Sequence, residues 1–133
     1  MTSPADRTKY IVGWIAPMAL ELATVTAILD EHKTLPVVED SALYHVGRIK
    51  DHYVAMVVCP RIGTHLAAAV VANICWLFRN IEHILVVGIA GGVPHYGASL
   101  QEQIVLGDIV ISVLQNKEGG VAHYEFGAWV SEN

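Results

Sequence analysis

The chain has 133 residues and a formal net charge of −5, and 53% of its residues are hydrophobic against 16% charged. This acidic balance, without a basic stripe, argues against a nucleic-acid partner, and the length suits one domain with its own core. The first nine residues are polar and lack a signal-peptide layout, and no apolar run reaches the roughly 18 residues of a membrane span. The sequence therefore predicts a soluble, cytoplasmic protein that does not bind membranes, with a polar leader at 1–9 and a domain at 10–133.

The first predicted elements are a strand and a helix. A β-type run at 10–16 ends at Pro17, and helical spacing takes over at 17–33. Proline suits the first turn of a helix, so we place Pro17 there. The apolar stripe of this predicted helix is formed by Met18, Leu22, Val25 and Leu29.

A hairpin and a second helix follow. Two strand-like runs at 42–49 and 52–59 flank Lys50 and Asp51, which predicts a hairpin although the turn lacks the favoured Asn-Gly or Asp-Gly pair. The segment 63–80 predicts a helix that is apolar nearly all round, with a central stripe of Leu66, Val70, Ile74 and Leu77. Such a helix is expected to be covered on more than one side, by a sheet and by a partner subunit.

The remaining runs predict further strands. Residues 83–89 form a continuous β-branched run typical of a central strand buried on both faces. Residues 108–112 read as another strand with Asp108 in a structural place at its start, and 121–130 could add a last one. A loop that contains His95, Tyr96 and Gly97 separates 83–89 from 108–112.

Alternating strands and helices with apolar middle strands predict an α/β fold, a three-layer sandwich around a mixed, largely parallel central sheet. Ligands bind such sheets beyond the carboxyl ends of the strands. Two turns, 16–21 and 88–94, are therefore candidates for the site.

Glu21 is the most informative single side chain. On a helical wheel it falls inside the apolar stripe, between Val25 and Ile28, where a carboxylate is costly unless it is satisfied or used. It also lies in the first helical turn, where the helix dipole favours a negative charge. Two interpretations stay open: an acid that complements the helix start, and a general base above the strand ends.

The glycine turn formed by Gly88, Gly91 and Gly92 lets the backbone approach a ligand closely and offers amide donors. An ordinary turn explains the same residues. The spacing is G-x-x-G-G, and no regular helix pattern opens directly behind it, so it is not a dinucleotide fingerprint.

Cysteine and histidine give no sign of a metal or of a disulfide framework. The seven histidines are scattered, without an HxxxH pair or a paired Cys/His spacing. Cys59 and Cys75 lie in apolar stretches and are interpreted as reduced core residues. We therefore predict no metal and no cofactor.

Three separated blocks carry a resemblance to a known family: "VGWIAPMALELA" at 12–23, "VVGIAGGVP" at 86–94 and "LGDIVIS" at 106–112. Together they resemble the first half of the nucleoside phosphorylase and nucleosidase family, which holds purine and uridine phosphorylases and methylthioadenosine/adenosylhomocysteine nucleosidase. The pattern is most similar to a fungal branch in which this domain precedes NACHT, ankyrin or tetratricopeptide regions.

The resemblance implies roles for both candidate turns. Glu21 falls where the nucleosidases keep the glutamate that activates water. The turn after the buried strand would line the pocket for the ribose and the attacking group, and its residues are Gly88, Ile89, Ala90, Gly91 and Gly92. The implied partner is a nucleoside, more readily a purine than a pyrimidine, in a homo-oligomer paired through apolar helices such as 66–78.

Departures from the family pattern bear on the nucleophile. Hexameric purine phosphorylases hold phosphate with two arginines and a serine, and the corresponding positions here are Leu20 or Glu21, Val86 and Ile89. A carboxylate in place of a guanidinium repels phosphate, so the resemblance favours hydrolysis over phosphorolysis. Arg61 is a possible anion contact that would restore phosphate binding, and it also reads as a solvated loop charge.

In the family, the ribose-clamping Met-Glu stretch and the aspartate that protonates the leaving base come from the second half of the domain. The resemblance covers only the first half of that domain. Because a general acid contributes roughly 10²–10⁴ in rate, we expect feeble catalysis unless a partner or a missing segment supplies this aspartate. Three hypotheses for the function of the chain therefore remain: an N-ribosyl hydrolase with Glu21 as the base, a nucleoside-binding or sensing module without turnover, and an inert fragment with exposed strand edges.

Overall fold

The computed structural model describes residues 4–36, 42–60, 64–92, 103–113 and 120. The chain forms two compact units, Met1–Ala90 and Gly91–Asn133. The described helices and strands lie in the first unit. They are a 3₁₀ helix (Pro4–Lys9), β1 (Val12–Ala16), α1 (Ala19–Thr26), β2 (Glu31–Pro36), β3 (Leu43–Ile49), β4 (His52–Val58), α2 (Thr64–Leu77) and β5 (His83–Val86).

The five strands form one mixed sheet in the order β2-β3-β4-β1-β5. β1 pairs in parallel with both β4 and β5, while β3 runs antiparallel to β2 and β4. The parallel part therefore consists of β4, β1 and β5, and the carboxyl ends of these three strands lie at one edge of the sheet.

The two helices cover opposite faces of this sheet. Alternate residues of β4 divide between two apolar clusters: Val54 and Met56 pack with Leu22 and Val25 of α1. On the other face, Ala55 and Val57 pack in the cluster that holds Val70, Ile74 and Leu77 of α2. Because strand side chains alternate between faces, this division confirms the three layers predicted from the sequence.

The predicted hairpin is confirmed. Ile49 pairs with His52 across the two-residue turn, and Lys50 adopts a positive φ of 52°. The backbone N–H of Lys50 donates to Asp30 Oδ2 at 2.7 Å, and Arg48 donates to the Lys50 carbonyl at 2.6 Å. These contacts hold a turn that lacks the glycine usually found in the left-handed region.

The helix predicted over 17–33 is too long. α1 spans Ala19–Thr26, Pro17 precedes its N-cap Met18, and the residues from Glu31 onward form strand β2 instead. Near its end, the hydroxyls of Thr24 and Thr26 bond carbonyls of their own helix, a pattern that weakens helices slightly.

Six residues of β2 pair with β3. This pairing outweighs the weak helical preference of the residues at 31–33. Ile28, which lies inside the predicted helix, is consequently exposed beyond the end of α1.

α2 confirms the predicted second helix with part of its stripe. Val70, Ile74 and Leu77 are buried against the sheet, whereas Leu66 is more than a third exposed. Among the described residues only this one face is covered, and Trp76 on the outer side is 63% exposed. Cover by a partner subunit stays a prediction.

The expectation of two core cysteines holds only in part. Cys59 is half-buried, but Cys75 is exposed on α2, and both are free thiols. The apolar residues around Cys75 in the sequence belong to a helix that buries one face, so its position on the other face leaves it in solvent.

Two strand predictions are wrong within the described residues. β5 is an edge strand of the sheet, and three of its four residues are exposed rather than buried on both faces. The segment 108–112, in the second unit, forms no strand. A β-branched run signals a strand, but only a paired neighbour makes it central, and the described residues provide β5 with one neighbour alone.

Candidate functional site

The two candidate turns meet at the carboxyl edge of the sheet. After β5, the N–H of Val87 donates to the carbonyl of Ile15 in β1 at 3.0 Å, so the chain continues beside β1 for one more residue. This places Gly88 and Ile89 next to the start of α1, which follows β1 directly. Within the first unit, Gly88 and Ile89 of one candidate turn therefore lie next to the other candidate turn, 16–21.

Glu21 is the buried charged side chain of the described residues, with 7% of its surface exposed. It occupies the third position of α1, and its two carboxylate oxygens have separate partners. Oε2 accepts from the backbone N–H of Met18 at 2.6 Å, and Oε1 accepts from the backbone N–H of Ile89 at 2.7 Å. Both donors satisfy a carboxylate that burial would otherwise penalise.

The bond to Met18 closes the first turn of α1. A methionine has no side-chain oxygen with which to cap a helix, so the glutamate three residues later supplies the acceptor for the N-cap amide. Glu21 therefore does complement the helix start, as one of the two open interpretations stated. The second bond, to Ile89, reaches across to the turn after β5 and goes beyond that role.

Gly88 packs directly against this carboxylate. A Cβ built at Gly88 would lie 2.6 Å from Glu21 Oε1 and 3.0 Å from its Cδ, and real Cβ atoms do not approach so closely. Any side chain at position 88 would therefore displace the Glu21 carboxylate from the place where it rests on the backbone. The sequence predicted a close approach at this glycine, but to a ligand rather than to Glu21.

Ile89 contributes its backbone to the site. Its N–H holds Glu21, while its side chain is 72% exposed at the mouth of the site. The sequence predicts that Ile89 lines the ribose pocket, but it does not predict that the backbone amides of Ile89 and Met18 bind Glu21. A hydrogen bond made by the backbone leaves no side-chain signature, so only the general rule that buried carboxylates need donors could have indicated it.

The other predicted site residues have different outcomes. Ala90 ends the first unit and is exposed, whereas Gly91 and Gly92 belong to the second unit. A Cβ at Gly91 would meet nothing within 4 Å, and one at Gly92 would touch Ile104 of the same unit. Arg61, the loop residues 93–102 and the segment 121–130 lie outside the described residues.

Asp108 has a local structural role in the second unit. Its Oδ2 accepts from the backbone N–H of Val105 at 2.8 Å, and its own N–H donates to the Val105 carbonyl. These bonds close a turn that includes Gly107 at a positive φ of 98°. The side chain is thus engaged by its own turn, although no strand begins there.

The described part of the chain holds no cluster of three or more histidine, cysteine or acidic residues arranged for a metal ion. Within the same residues, no helix combines the length and the apolar character needed to cross a membrane. What the arrangement offers chemically is a buried carboxylate, held by two amides, at the edge of the sheet where α/β proteins bind ligands.

Comparison with known proteins agrees with this arrangement. A model of the phosphorylase superfamily matches residues 11–125, and the chain belongs to that superfamily. A nucleotide-binding leucine-rich repeat (NLR)-like protein of Hyaloscypha variabilis is 36% identical over 122 residues, which cover 90% of this chain and 12% of that protein.

Solved nucleosidases share the fold. A Streptococcus pneumoniae MTA/SAH nucleosidase in complex with 8-aminoadenine has a TM-score of 0.56 and 30% identity, covering 67% of this chain and 37% of that one. The S-adenosylhomocysteine nucleosidase of Streptococcus pyogenes, in complex with 5-methylthiotubericidin, has a TM-score of 0.57 and 29% identity, with 68% and 36% covered. The chain thus spans little more than a third of the solved nucleosidases and about an eighth of the NLR-like protein.

These findings confirm the family predicted from the three sequence blocks and the α/β fold with a mixed sheet. The NLR-like relative agrees with the predicted multidomain fungal branch, and the NACHT and ankyrin regions of that branch stay a prediction for this chain.

Proposed function

We propose that this chain carries the water-activating part of an N-ribosyl hydrolase site, which cleaves the glycosidic bond of a nucleoside with Glu21 as the general base. The observation that carries the proposal is the placement of Glu21: it is buried, held at both oxygens, and located at the carboxyl edge of the parallel strands. Membership of the phosphorylase superfamily and the likeness to nucleosidases support this reaction class.

In the proposed reaction, a carboxylate oxygen of Glu21 accepts a proton from water, and the water oxygen forms a bond to C1′ of the ribose. The bond between C1′ and the base nitrogen breaks, and its electron pair leaves with the base, which then takes up a proton. Each carboxylate oxygen has lone-pair capacity beyond one amide bond, so Glu21 can bind a water molecule while it stays held by Met18 and Ile89.

The amides of Met18 and Ile89 contribute positioning to this proposal. They fix the carboxylate before water binds, and a preorganised base needs little rearrangement during reaction. The exposed isoleucine beside the carboxylate presents an apolar surface where a phosphate would require donors, and the carboxylate itself repels an anion. Both features favour water over phosphate as the nucleophile.

A purine nucleoside is the proposed substrate class. The two Streptococcus nucleosidases named above were solved with 8-aminoadenine and with 5-methylthiotubericidin, and this likeness supports a purine for the present chain. A homo-oligomer paired through residues 66–78 also belongs to the proposal, supported by the exposed outer side of α2.

A specific observation also favours a second candidate, a nucleoside-binding module without turnover. Both oxygens of Glu21 already accept structural hydrogen bonds, so the same carboxylate would hold α1 against the turn after β5 even in a protein that only binds. Release of the base separates the two candidates.

The test measures base release from adenosine, inosine, guanosine, uridine and methylthioadenosine, with and without phosphate. We expect release that does not require phosphate, and a loss of about 10²-fold or more in Glu21→Gln, because an amide cannot take the proton. The matched control is Glu82→Gln, which changes an exposed glutamate before β5 in the same way and should retain activity.

Two results would count against the hydrolase. Release that depends on phosphate identifies a phosphorylase, and equal release by Glu21→Gln and the unmodified chain removes Glu21 from the reaction. Nucleoside that raises the melting temperature without any release identifies the binding module.

A further inference from the structure

Two histidines meet on one face of the antiparallel part of the sheet. His32 of β2 lies opposite Gly47 of β3, and His45 of β3 lies opposite Thr34 of β2. Because strand residues alternate between the two faces and paired residues share a face, all four positions lie on the same side of the sheet. The two histidines are therefore diagonal neighbours on adjacent strands.

The two imidazole rings lie side by side. His32 Nε2 and His45 Nδ1 are 2.9 Å apart, the ring centroids are 5.1 Å apart, and the ring planes differ by 7°. Overlaid rings would keep their atoms roughly 3.5 Å or more apart, so these rings meet edge to edge. One nitrogen donates a hydrogen bond and the other accepts it, and the two nitrogens that face each other are atoms of the kind that ligate metals.

The glycine opposite His32 permits this diagonal contact. A Cβ at Gly47 would collide with the carbonyl of Glu31 and with the side chain of Leu29. Because Gly47 has no side chain, none from β3 stands directly opposite His32. The imidazole of His32 contacts the ring of His45 instead.

The charges around the pair admit a cation. Lys33 and Arg48 are paired with residues of the opposite face of the sheet, and Arg48 contacts the carboxylates of Asp30 and Glu31. The remaining paired positions on the histidine face of β2 and β3 are uncharged: Thr34, Pro36, Leu43, Gly47 and Ile49. A metal ion there meets no lysine or arginine at a paired position of its own face.

The nitrogen separation matches two neighbouring positions around a metal. Imidazole nitrogens bind divalent transition metals at about 2.0–2.1 Å, and two such bonds to nitrogens 2.9 Å apart enclose an angle of about 90°. Tetragonal Cu²⁺ and Ni²⁺ take ligands at this angle. A tetrahedral ion such as Zn²⁺ would place the nitrogens about 3.3 Å apart.

We propose that His32 and His45 form a two-histidine site for a divalent transition metal of tetragonal preference, Cu²⁺ or Ni²⁺, which clamps the edge strand β2 onto β3. On binding, the proton between the rings moves to the other nitrogen of the ring that carries it, so both rings stay neutral. Both rings then tilt so that their lone pairs meet at the metal, and water fills the remaining positions. The inference does not depend on the hydrolase proposal.

Titration of the full chain with Ni²⁺ tests the site. Ni²⁺ is the probe because Cu²⁺ would also oxidise the free thiols of Cys59 and Cys75. Calorimetry at pH 8 should show one Ni²⁺ bound per chain, and saturating Ni²⁺ should raise the melting temperature, because an ion bound to the folded chain stabilises it. Mg²⁺, which prefers oxygen ligands, should do neither.

Single and double variants test whether both histidines hold the same ion. His32→Gln and His45→Gln should each weaken Ni²⁺ binding by about tenfold or more, because the second imidazole acts at a high effective concentration. The double variant should bind little more weakly than either single variant, since one substitution already breaks the chelate. His52→Gln changes an exposed histidine of β4 and should keep Ni²⁺ binding, as should Glu21→Gln.

Four outcomes would overturn the inference. The unmodified chain binds no Ni²⁺ at one ion per chain, or His32→Gln binds it equally well, or the losses of the two single variants add in the double variant, or His52→Gln loses as much as His32→Gln. Since His32 lies exposed on an edge strand, His32→Gln keeps the fold, and the test stands even if His45→Gln unfolds.

Discussion

Gly88 is the residue at which the backbone and the buried carboxylate of Glu21 come closest. The glycine turn has a structural reason here that differs from ligand contact, because the first glycine provides the surface on which Glu21 rests. A side chain introduced at this position would displace the carboxylate of Glu21 even when no substrate is bound.

The first prediction concerns Gly88→Ala. The added methyl group would lie 2.6 Å from Glu21 Oε1, which is closer than van der Waals contact allows, so the carboxylate has to swing away and give up the Ile89 amide. Loss of a hydrogen bond to a charged group costs roughly 1.5–3 kcal/mol. We expect the free energy of unfolding to fall by about 2 kcal/mol in urea denaturation.

Gly91→Ala is the matched control for this prediction. A Cβ at Gly91 meets no atom within 4 Å, so its effect should stay within about 0.5 kcal/mol. If both variants lose the same free energy of unfolding, the cause is a general intolerance of the turn to alanine. That result would contradict the specific role of Gly88.

Sequence reasoning predicted this site in part. The cost of burying a carboxylate indicated Glu21, and the family blocks indicated the turn after β5. The contact between them could not be derived from the residues, because both donors are backbone amides and Ile89 reads in the sequence as a wall residue. Side-chain chemistry is visible in a sequence, whereas backbone donors depend on where the chain passes.

At the scale of elements, β2 and β3 form the antiparallel side of the sheet. β2 is an edge strand, and a cross-strand contact between His32 and His45 adds to its ladder. Such side-chain pairs are a main source of stability between neighbouring strands. Because the pKa of His45 is lowered in the folded chain, this stability depends on pH.

The second prediction follows from the lowered pKa of His45, caused first by burial and then by His32. The unfolded chain takes up a proton at this residue more readily than the folded one, so stability rises with pH. The stabilisation that neutral His45 contributes is fully present above the pKa of histidine in the unfolded chain, about 6.5. It is lost as the pH falls through the lower pKa of His45 in the folded chain. Urea unfolding between pH 8 and pH 5 should show this decline.

His45→Gln removes the titrating group and should reduce the decline. His52→Gln changes an exposed histidine at the start of β4 and should keep it. A pH profile that is the same in His45→Gln and the unmodified chain would assign the decline to other groups.

The elements themselves were predictable to different degrees. β1, the hairpin and α2 followed from local periodicity, since each pattern is complete within its own segment. The first three residues of β2, at 31–33, fall within the predicted helix because the preceding Ala27, Ile28 and Leu29 suit a helix locally. Pairing with β3 decides the structure of 31–33 instead. The sequence also did not reveal whether a strand lies at the centre or at the edge of the sheet, since β5 is an exposed edge strand.

At the scale of the whole molecule, apolar side chains are exposed in the second unit. Large hydrophobic residues from 104 to 113 project into solvent, among them Ile109 and Ile111 at 88% and 77% exposure. Large apolar side chains that are exposed in such number are typical of an interaction surface or of an aggregation risk.

The third prediction is that the chain binds the dye ANS in its folded state. Ile109→Lys combined with Ile111→Lys should lower the dye fluorescence severalfold without lowering the melting temperature, because neither side chain is buried. Leu20→Lys, at an exposed position of α1 in the first unit, should leave the fluorescence nearly unchanged. Dye binding that persists in the double variant would place the apolar surface elsewhere.

The hydrogen bond between Glu21 and Ile89 has a consequence for the order in which the protein forms. It joins residues 68 positions apart, and closing a loop of that size costs roughly 4 kcal/mol of chain entropy. During synthesis at about 5–20 residues per second, Glu21 precedes its second amide partner by on the order of 3–14 s. The carboxylate therefore acquires its final setting only after the turn beyond β5 has been made, and the proposed reaction centre is among the last parts of the first unit to assemble.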